Sequence, residues 1–415
     1  MNTQNISVAA QVEPQRLGRG LSLNYKFYRS LMLKSFSKMK NGYIHLVENG
    51  TDHEFGDPES SLRVSVIVKD KAFYSAVVFG GSLGASEAYI RGDWECDDLT
   101  TLFRIFLMNQ SEMSELEQTV AWISRLRDRI SFGLTRNTVE GSKRNIVAHY
   151  DLSNEFYQLW LDPTMTYSAG VFNTPEATME EASIEKLDRM CQYLDLQETD
   201  HLLEIGTGWG SLSIHAAKKY GCQITTTTIS DKQYDLAAER IKAAGLEDQI
   251  RVVKQDYRYL TGEFDKIISI EMIEAVGHKF IPDYMRAINR LLKVGGRVAI
   301  QGITINDQHY KAYRNSVDFI KKYIFPGGNL VSVSYLMDTI GKETSLRPLQ
   351  LSEIGLHYAT TLQRWRSEFE RVLPEVKALG FSDQFIRLWR YYLTYCEAGF
   401  LEKHIGNVQL SFEKR

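Results

Sequence analysis

The chain has 415 residues, 24% of them charged, and a formal net charge of −3, so no overall basic field directs it to nucleic acid. Its length allows two or three domains with a sizeable core. Cys96, Cys191, Cys222 and Cys396 lie far apart with no C-x-x-C pair. That fits a reducing compartment and argues against a zinc site or a disulfide framework, and no apolar run is long enough to span a bilayer; with no signal peptide read either, the expectation is a metal-free cytoplasmic protein.

Residues 1–15 read as disordered. From Arg16 to Lys40 come seven Lys or Arg and no acid, interleaved with Tyr25, Phe27, Tyr28, Leu31, Leu33 and Phe36. Such a basic, aromatic helix suits an anionic membrane surface, and it equally suits a solvated helix packed on its own domain. Alternation then predicts strands over Tyr43–Val47, Leu62–Val68 and Ala72–Phe79, with a turn at Gly56-Asp57-Pro58 between the first two. Helical stretches follow at Gly84–Ile90 and Leu99–Met108, which makes a small α+β unit. Residues 111–131 read as helical and 132–146 as a linker. Beyond it, strands near 202–205, 223–229, 250–254, 266–270 and 297–303 alternate with helices, the pattern of a doubly wound α/β sheet. From Tyr310 onward the chain reads as mainly helical and aromatic. The expected domains are 1–131, for lipid or membrane binding, and 147–415, for catalysis.

The first strand of the sheet runs into Leu202-Leu203-Glu204-Ile205-Gly206-Thr207-Gly208-Trp209-Gly210. A buried strand that ends in glycines and turns into a helix brings backbone close to a ligand where a Cβ would collide. A dinucleotide site wants G-x-G-x-x-G, with an acid about 20 residues on for the ribose. Here the spacing is G-x-G-x-G, and the next strand ends in Thr228-x-Ser230-x-x-Gln233. The shorter loop suits S-adenosylmethionine, which needs no phosphate cradle, and Glu204 can meet its positive amino group.

Several collinear segments together resemble the cyclopropane fatty acid synthase family of S-adenosylmethionine-dependent methyltransferases, mycolic acid cyclopropane synthases included. They are Gly81-Ser82-Leu83-Gly84, Gly92-Asp93-Trp94-Glu95, His149-Tyr150-Asp151-Leu152-Ser153-Asn154, Met165-Thr166-Tyr167-Ser168, the glycine loop, Gln255-Asp256-Tyr257-Arg258, Glu271-Met272-Ile273-Glu274-Ala275-Val276-Gly277 and Tyr323-Ile324-Phe325-Pro326-Gly327-Gly328. The resemblance implies a Rossmann-like class I methyltransferase sheet with a helical lipid-binding insertion. It places Tyr167 and Ser168 at the methionine end of the cofactor, Gly206 and Gly208 under it, Thr228 and Gln233 at the ribose, and Asp256 and Tyr257 at the adenine.

In that family a bound bicarbonate acts as base. The resemblance maps its holders to Glu274, Tyr358, Gln301 (where a His is usual) and the backbone of Ile303, while Ala169 stands at the Cys position and Ala275 at a second His. These departures loosen the anion site and leave bicarbonate binding open, and Glu274 becomes the expected organiser of the base. The implied reaction forms cyclopropane rings on cis-unsaturated acyl chains of membrane phospholipids, by an enzyme peripheral to the inner face of the membrane. Alternatives are a methyl-branched or exocyclic-methylene product, or a non-catalytic lipid-binding protein. A homodimer is a further option. A transient cation on the acyl chain would need π faces nearby, for which Tyr167, Phe172, Tyr323, Phe325, Tyr358 and Trp365 are candidates.

Overall fold

The computed structural model describes residues 25–111 and 152–415. The readings of the N-terminal 15 residues, Arg16, Arg19, the 111–131 helix, the 132–146 linker and His149 lie outside the described residues. Two compact units emerge. One takes 25–111 together with Ser316–Ile324 and Leu373–His404; the other takes 152–315, Phe325–Val372 and Ile405–Arg415. The sequence reading, which assigns 147–415 to one domain, does not contain this division.

In the first unit four strands, β1 (Tyr43–Glu48), β2 (Thr51–Gly56), β3 (Arg63–Val68) and β4 (Trp94–Cys96), form a sheet in the order β2-β1-β3-β4. β2 was not anticipated. Its sequence, Thr-Asp-His-Glu-Phe-Gly, is polar and largely exposed, so no apolar alternation announces it. The turn before it does carry a signal: Asn49 and Gly50 both have positive φ, 46° and 75°, as a tight hairpin requires. The run Ala72–Phe79, expected as a strand, is helical and forms the first part of Ala72–Arg91, which is broken by a kink at Gly81 (φ 55°). Short apolar runs fit both periods, and here Phe73, Tyr74, Ala76 and Val78 are all buried by the helix. The long helix Asp383–Leu401 packs with Leu99–Met108, and Phe103 meets Tyr391 edge-on at 4.8 Å.

The second unit holds a sheet of seven strands: β5 (His201–Ile205), β6 (Gln223–Thr228), β7 (Ile250–Lys254), β8 (Phe264–Ile270), β9 (Leu292–Ile305), β10 (Leu346–Glu353) and β11 (Ile405–Lys414), in the order β10-β11-β9-β8-β5-β6-β7. β5 to β9 are parallel, and β11 runs antiparallel to both β9 and β10. Buried parallel strands alternate their side chains between two cores. Leu203, Ile267 and Val298 enter one core and Leu202, Ile268 and Ala299 the other, so the strands read as unbroken apolar runs. From Tyr310 onward the chain is mainly helical, as expected, with these two antiparallel strands as the elements not anticipated. β10 is exposed along most of its length, whereas β11 alternates Asn407, Gln409 and Ser411 with the core residues Val408, Leu410 and Phe412.

The chain leaves β5 toward β6 and β7 on one side and returns to β8 and β9 on the other. This reversal opens a crevice at the carboxyl ends of β5 and β8, where open α/β sheets bind their ligands.

Candidate active site

A cavity occupies that crevice. Tyr167, Ser168, Glu204, Gly206, Gly208, Thr228, Gln233, Asp256 and Tyr257, the nine residues expected around the cofactor, all line it. Gly206 and Gly208 have φ of 101° and 52°, in the left-handed region. A Cβ on Gly206 would press on Met272 Cγ at 3.1 Å, whereas one on Gly208 would enter open space. Behind the loop, Glu204 is buried and accepts from Ser213 Oγ and, at 2.7 Å, from Thr226 Oγ1. Burial raises its pKa to about 7, against the opposing pull of those two hydroxyls and of Lys186.

Ser230 caps the helix Asp231–Ala243, and the Gln233 side chain accepts from Thr228 Oγ1 at 2.9 Å. The Thr-x-Ser-x-x-Gln pattern is therefore one local structure, a cap with two polar side chains turned to the cavity. Asp256 plays two parts. It caps the turn Tyr257–Tyr259 and takes a forked pair of bonds from Arg258, at 2.8 and 2.6 Å, while both residues line the cavity. Tyr167 lies in an aromatic cluster, its ring centroid 5.2 Å from Tyr157, 5.8 Å from Trp160 and 5.2 Å from Trp365. Tyr358 meets Trp365 at 6.1 Å. Phe172 lies apart from these, stacked on His357, and Tyr323 belongs to the first unit, bonded to Glu87.

None of the four residues expected to do the chemistry (Glu274, Tyr358, Gln301 and Ile303) lines the cavity; Glu271 does. Glu271 was quoted in the sequence but given no role. Its carboxylate gathers four donors. Oε1 accepts from Gln301 Nε2 at 2.9 Å, Asn407 Nδ2 at 2.6 Å and the Ala169 N–H at 3.0 Å, and Oε2 accepts from the Tyr358 hydroxyl at 2.9 Å. Gln301, Asn407 and Gln409 are each fully buried. Glu274 stands one turn further on. It is half-buried, accepts from the Ile303 N–H through Oε1, and its Oε2 is out of solvent with no hydrogen-bond partner. Burial, and then the charge of Glu271, push its pKa up. Lys186 also lines the cavity and donates to Ser168 Oγ at 2.7 Å; burial lowers its pKa to about 8. His278 is held by Tyr310 at 2.6 Å and is not part of the lining.

The residues expected to hold bicarbonate thus do not frame a vacant anion site. Tyr358 and Gln301 already bind a carboxylate of the chain itself, and Glu274 and the Ile303 N–H bind each other. Bicarbonate does not fit this donor set. Asn407 and Gln409, two amides at i and i+2 on one strand, were the available signal for the arrangement, legible only once β11 is recognised as a strand.

Sheet order, glycine loop and cavity define a class I S-adenosylmethionine-dependent methyltransferase fold. Within it, the sequence profile of the mycolic acid cyclopropane synthetase family matches residues 138–410, and the chain belongs to that family. It is 37% identical over 336 residues to tuberculostearic acid methyltransferase UfaA1 of Mycobacterium tuberculosis, spanning 79% of this chain and 78% of that protein. It is 33% identical over 356 residues to the cyclopropane-fatty-acyl-phospholipid synthase of Escherichia coli, spanning 85% and 89%. Among solved structures, mycolic acid cyclopropane synthase CmaA1, crystallised with SAH and CTAB, superposes with a TM-score of 0.61 at 29% identity over 66% of this chain and 98% of that one.

Proposed function

We propose that the protein is an enzyme that transfers one carbon from S-adenosylmethionine to the cis double bond of unsaturated phospholipid acyl chains, forming cyclopropane fatty acids. The observation that carries this reading is the one cavity that joins the nine cofactor-type residues to the half-buried carboxylate Glu271. The cavity suits the cofactor: Gly208 leaves open space where a Cβ would stand, and Glu204 and Glu271 supply negative charge for a cation. Bound there, S-adenosylmethionine supplies a sulfonium methyl group, which the alkene π pair takes as the C–S pair returns to sulfur. Thr228 and Gln233 would hold the ribose, Asp256 and Tyr257 the adenine, and Tyr167 and Ser168 the methionine end. Tyr167, on the cavity wall, would face the cation left on the acyl chain, its π face contributing about 0.5–2 kcal/mol, with Trp365 packed behind it.

The phospholipid substrate is supported by the Escherichia coli relative. A second reading, an exocyclic methylene or methyl branch at the same carbon, is favoured by the identity to the tuberculostearic acid methyltransferase. Both begin with the same transfer. The protein would reach its substrate by peripheral binding to the membrane. Among the described residues no helix is long and apolar enough to cross a membrane, and the helix Tyr25–Phe36 exposes Lys26, Phe27 and Lys34.

Incubation with S-adenosylmethionine and vesicles of dioleoyl phospholipid, followed by NMR of the extracted acyl chains, tests the assignment. Upfield ring protons identify the cyclopropane and vinylidene protons the methylene. Bound S-adenosylhomocysteine with no change to any acyl chain would leave a lipid-binding protein and remove the enzyme.

A further inference from the structure

Four donors converge on one carboxylate at the cavity wall, and that carboxylate belongs to the chain. From this we infer that Glu271 is the built-in proton acceptor of the reaction, filling the place of a separate anion. The inference rests on the proposed methyl transfer and assigns one step of it.

The backbone supports a placed, not incidental, side chain. Glu271 follows β8 at the carboxyl edge of the sheet, with φ of 49°, a left-handed conformation that a residue bearing a Cβ adopts at a cost of about 1–2 kcal/mol. Its N–H is bonded to the Gln301 carbonyl at 2.8 Å, so strand β9 fixes both ends of the residue. The carboxylate is then shared among three elements: β9 through Gln301, β11 through Asn407 and the segment after Met165 through the Ala169 N–H. The Tyr358 hydroxyl from the helix Gly355–Arg371 completes the set. Any carboxylate drawn out of water gathers donors; what sets Glu271 apart is that it also faces the cavity that holds the nine cofactor-type residues.

The step balances without another reagent. Once the methyl carbon is bonded to the acyl chain and the chain carries the cation, a C–H bond of that methyl breaks. Its electron pair closes the third side of the ring, and the proton passes to a Glu271 oxygen. Glu271 becomes a carboxylic acid and later returns the proton to water. For the methylene product the same C–H pair forms the double bond instead, after hydride migration, and the proton has the same destination. Glu271 therefore serves either product.

Two measurements test the inference. The first is turnover of the wild-type enzyme in buffer stripped of carbon dioxide, with and without added bicarbonate. We expect the same rate; a rate that rises tenfold or more with bicarbonate overturns the assignment. The second uses Glu271→Gly, a residue that suits the observed φ and removes the carboxylate while leaving the four donors. S-adenosylhomocysteine affinity should stay within a few fold, turnover should fall by about 10²–10⁴, and formate or bicarbonate should restore part of it. Wild-type turnover in Glu271→Gly with no added anion overturns the assignment. Should the variant fail to fold, the bicarbonate measurement on the wild type decides alone. If the wild-type enzyme alters no acyl chain, the proposed function fails, an outcome distinct from either of these.

Discussion

Gln409 donates through Nε2 to Gln301 Oε1 at 2.9 Å, across the paired strands β11 and β9. The bond decides which way Gln301 points. Glu271 can only accept, so Gln301 must show it the NH₂ group, and its oxygen then faces Gln409. Gln409→Leu removes the donor that holds this orientation, and the Gln301 amide becomes free to turn its oxygen toward Glu271. Losing one hydrogen bond to a charged group is worth about 1.5–3 kcal/mol. Because neither glutamine lines the cavity, kcat should fall roughly tenfold or more with little change in S-adenosylhomocysteine affinity. An equal loss in affinity and kcat would mean that the pair only supports the fold.

The glycine loop offers a sharper test of cofactor binding. Gly208 sits at φ of 52° with nothing within 4 Å of where a Cβ would stand. Gly208→Ala puts a methyl group into the space assigned to the ligand, and Gly208→Val adds β-branched strain in the left-handed region, about 1–2 kcal/mol or more. Calorimetry with S-adenosylhomocysteine should show affinity reduced at least tenfold in the alanine variant and binding lost in the valine variant, with circular dichroism unchanged. Undiminished affinity in both variants would remove the methyltransferase reading of the cavity.

The basic helix has an exposed face. Arg29, one of its cations, is committed: it pairs with Glu48 and lies 2.8 Å from His53 Nε2, and Glu48 also accepts from Tyr74. Lys26 and Lys34 are exposed, as is Lys38 just beyond the helix, and Phe27 is 65% exposed. Reversing these three lysines to Glu, and leaving Arg29 alone, should abolish sedimentation with anionic vesicles. Each cation near such a surface contributes about 1 kcal/mol, and wild-type binding should weaken as salt rises. Salt-indifferent binding, unaltered by the three changes, would leave the segment as a packed helix only.

The cavity was legible in sequence because its parts are local. Gly206 to Gly210 turn the chain at a strand end, and Thr228 to Gln233 make a helix cap, so each motif carries its own geometry. The chemical centre was legible only in part: the resemblance brought Gln301, Tyr358 and Ala169 to one site, but Glu271 and Asn407 went without a role because the group is assembled from afar. Glu271, Gln301, Tyr358, Asn407 and the Ala169 N–H come from separated segments, and β11 buries polar Asn407, Gln409 and Ser411 on one face and Val408, Leu410 and Phe412 on the other. The alternation of Val408, Leu410 and Phe412 with polar residues is a strand signal that the sequence reading passed over, so Asn407 and Gln409 were left without a role. The two glutamates three residues apart are alike in composition. Only the fold shows that Glu271 meets the cavity while Glu274 turns inward to the Ile303 N–H.

Glu204 ties cofactor binding to pH. In the ligand-free protein burial raises its pKa to about 7, so near neutrality a large fraction is protonated. A raised carboxyl pKa favours the folded state at low pH, and that contribution is lost as pH rises through about 7. A cationic ligand acts in the opposite sense: it stabilises the ionised form and draws the pKa back down. Binding of S-adenosylmethionine should therefore expel a proton, and its affinity should strengthen as pH rises from about 5.5 to about 7.5, then level off. Lys186, lowered to about 8 on the same wall, shifts further down beside a cation and adds to the release. Calorimetry in buffers of different ionisation enthalpy reads the proton count directly. Glu204→Gln cannot ionise and should flatten most of the dependence, leaving the smaller Lys186 part. Proton uptake on binding, or a wild-type affinity that does not vary over this range, would show that Glu204 does not sense the charge of the bound cofactor.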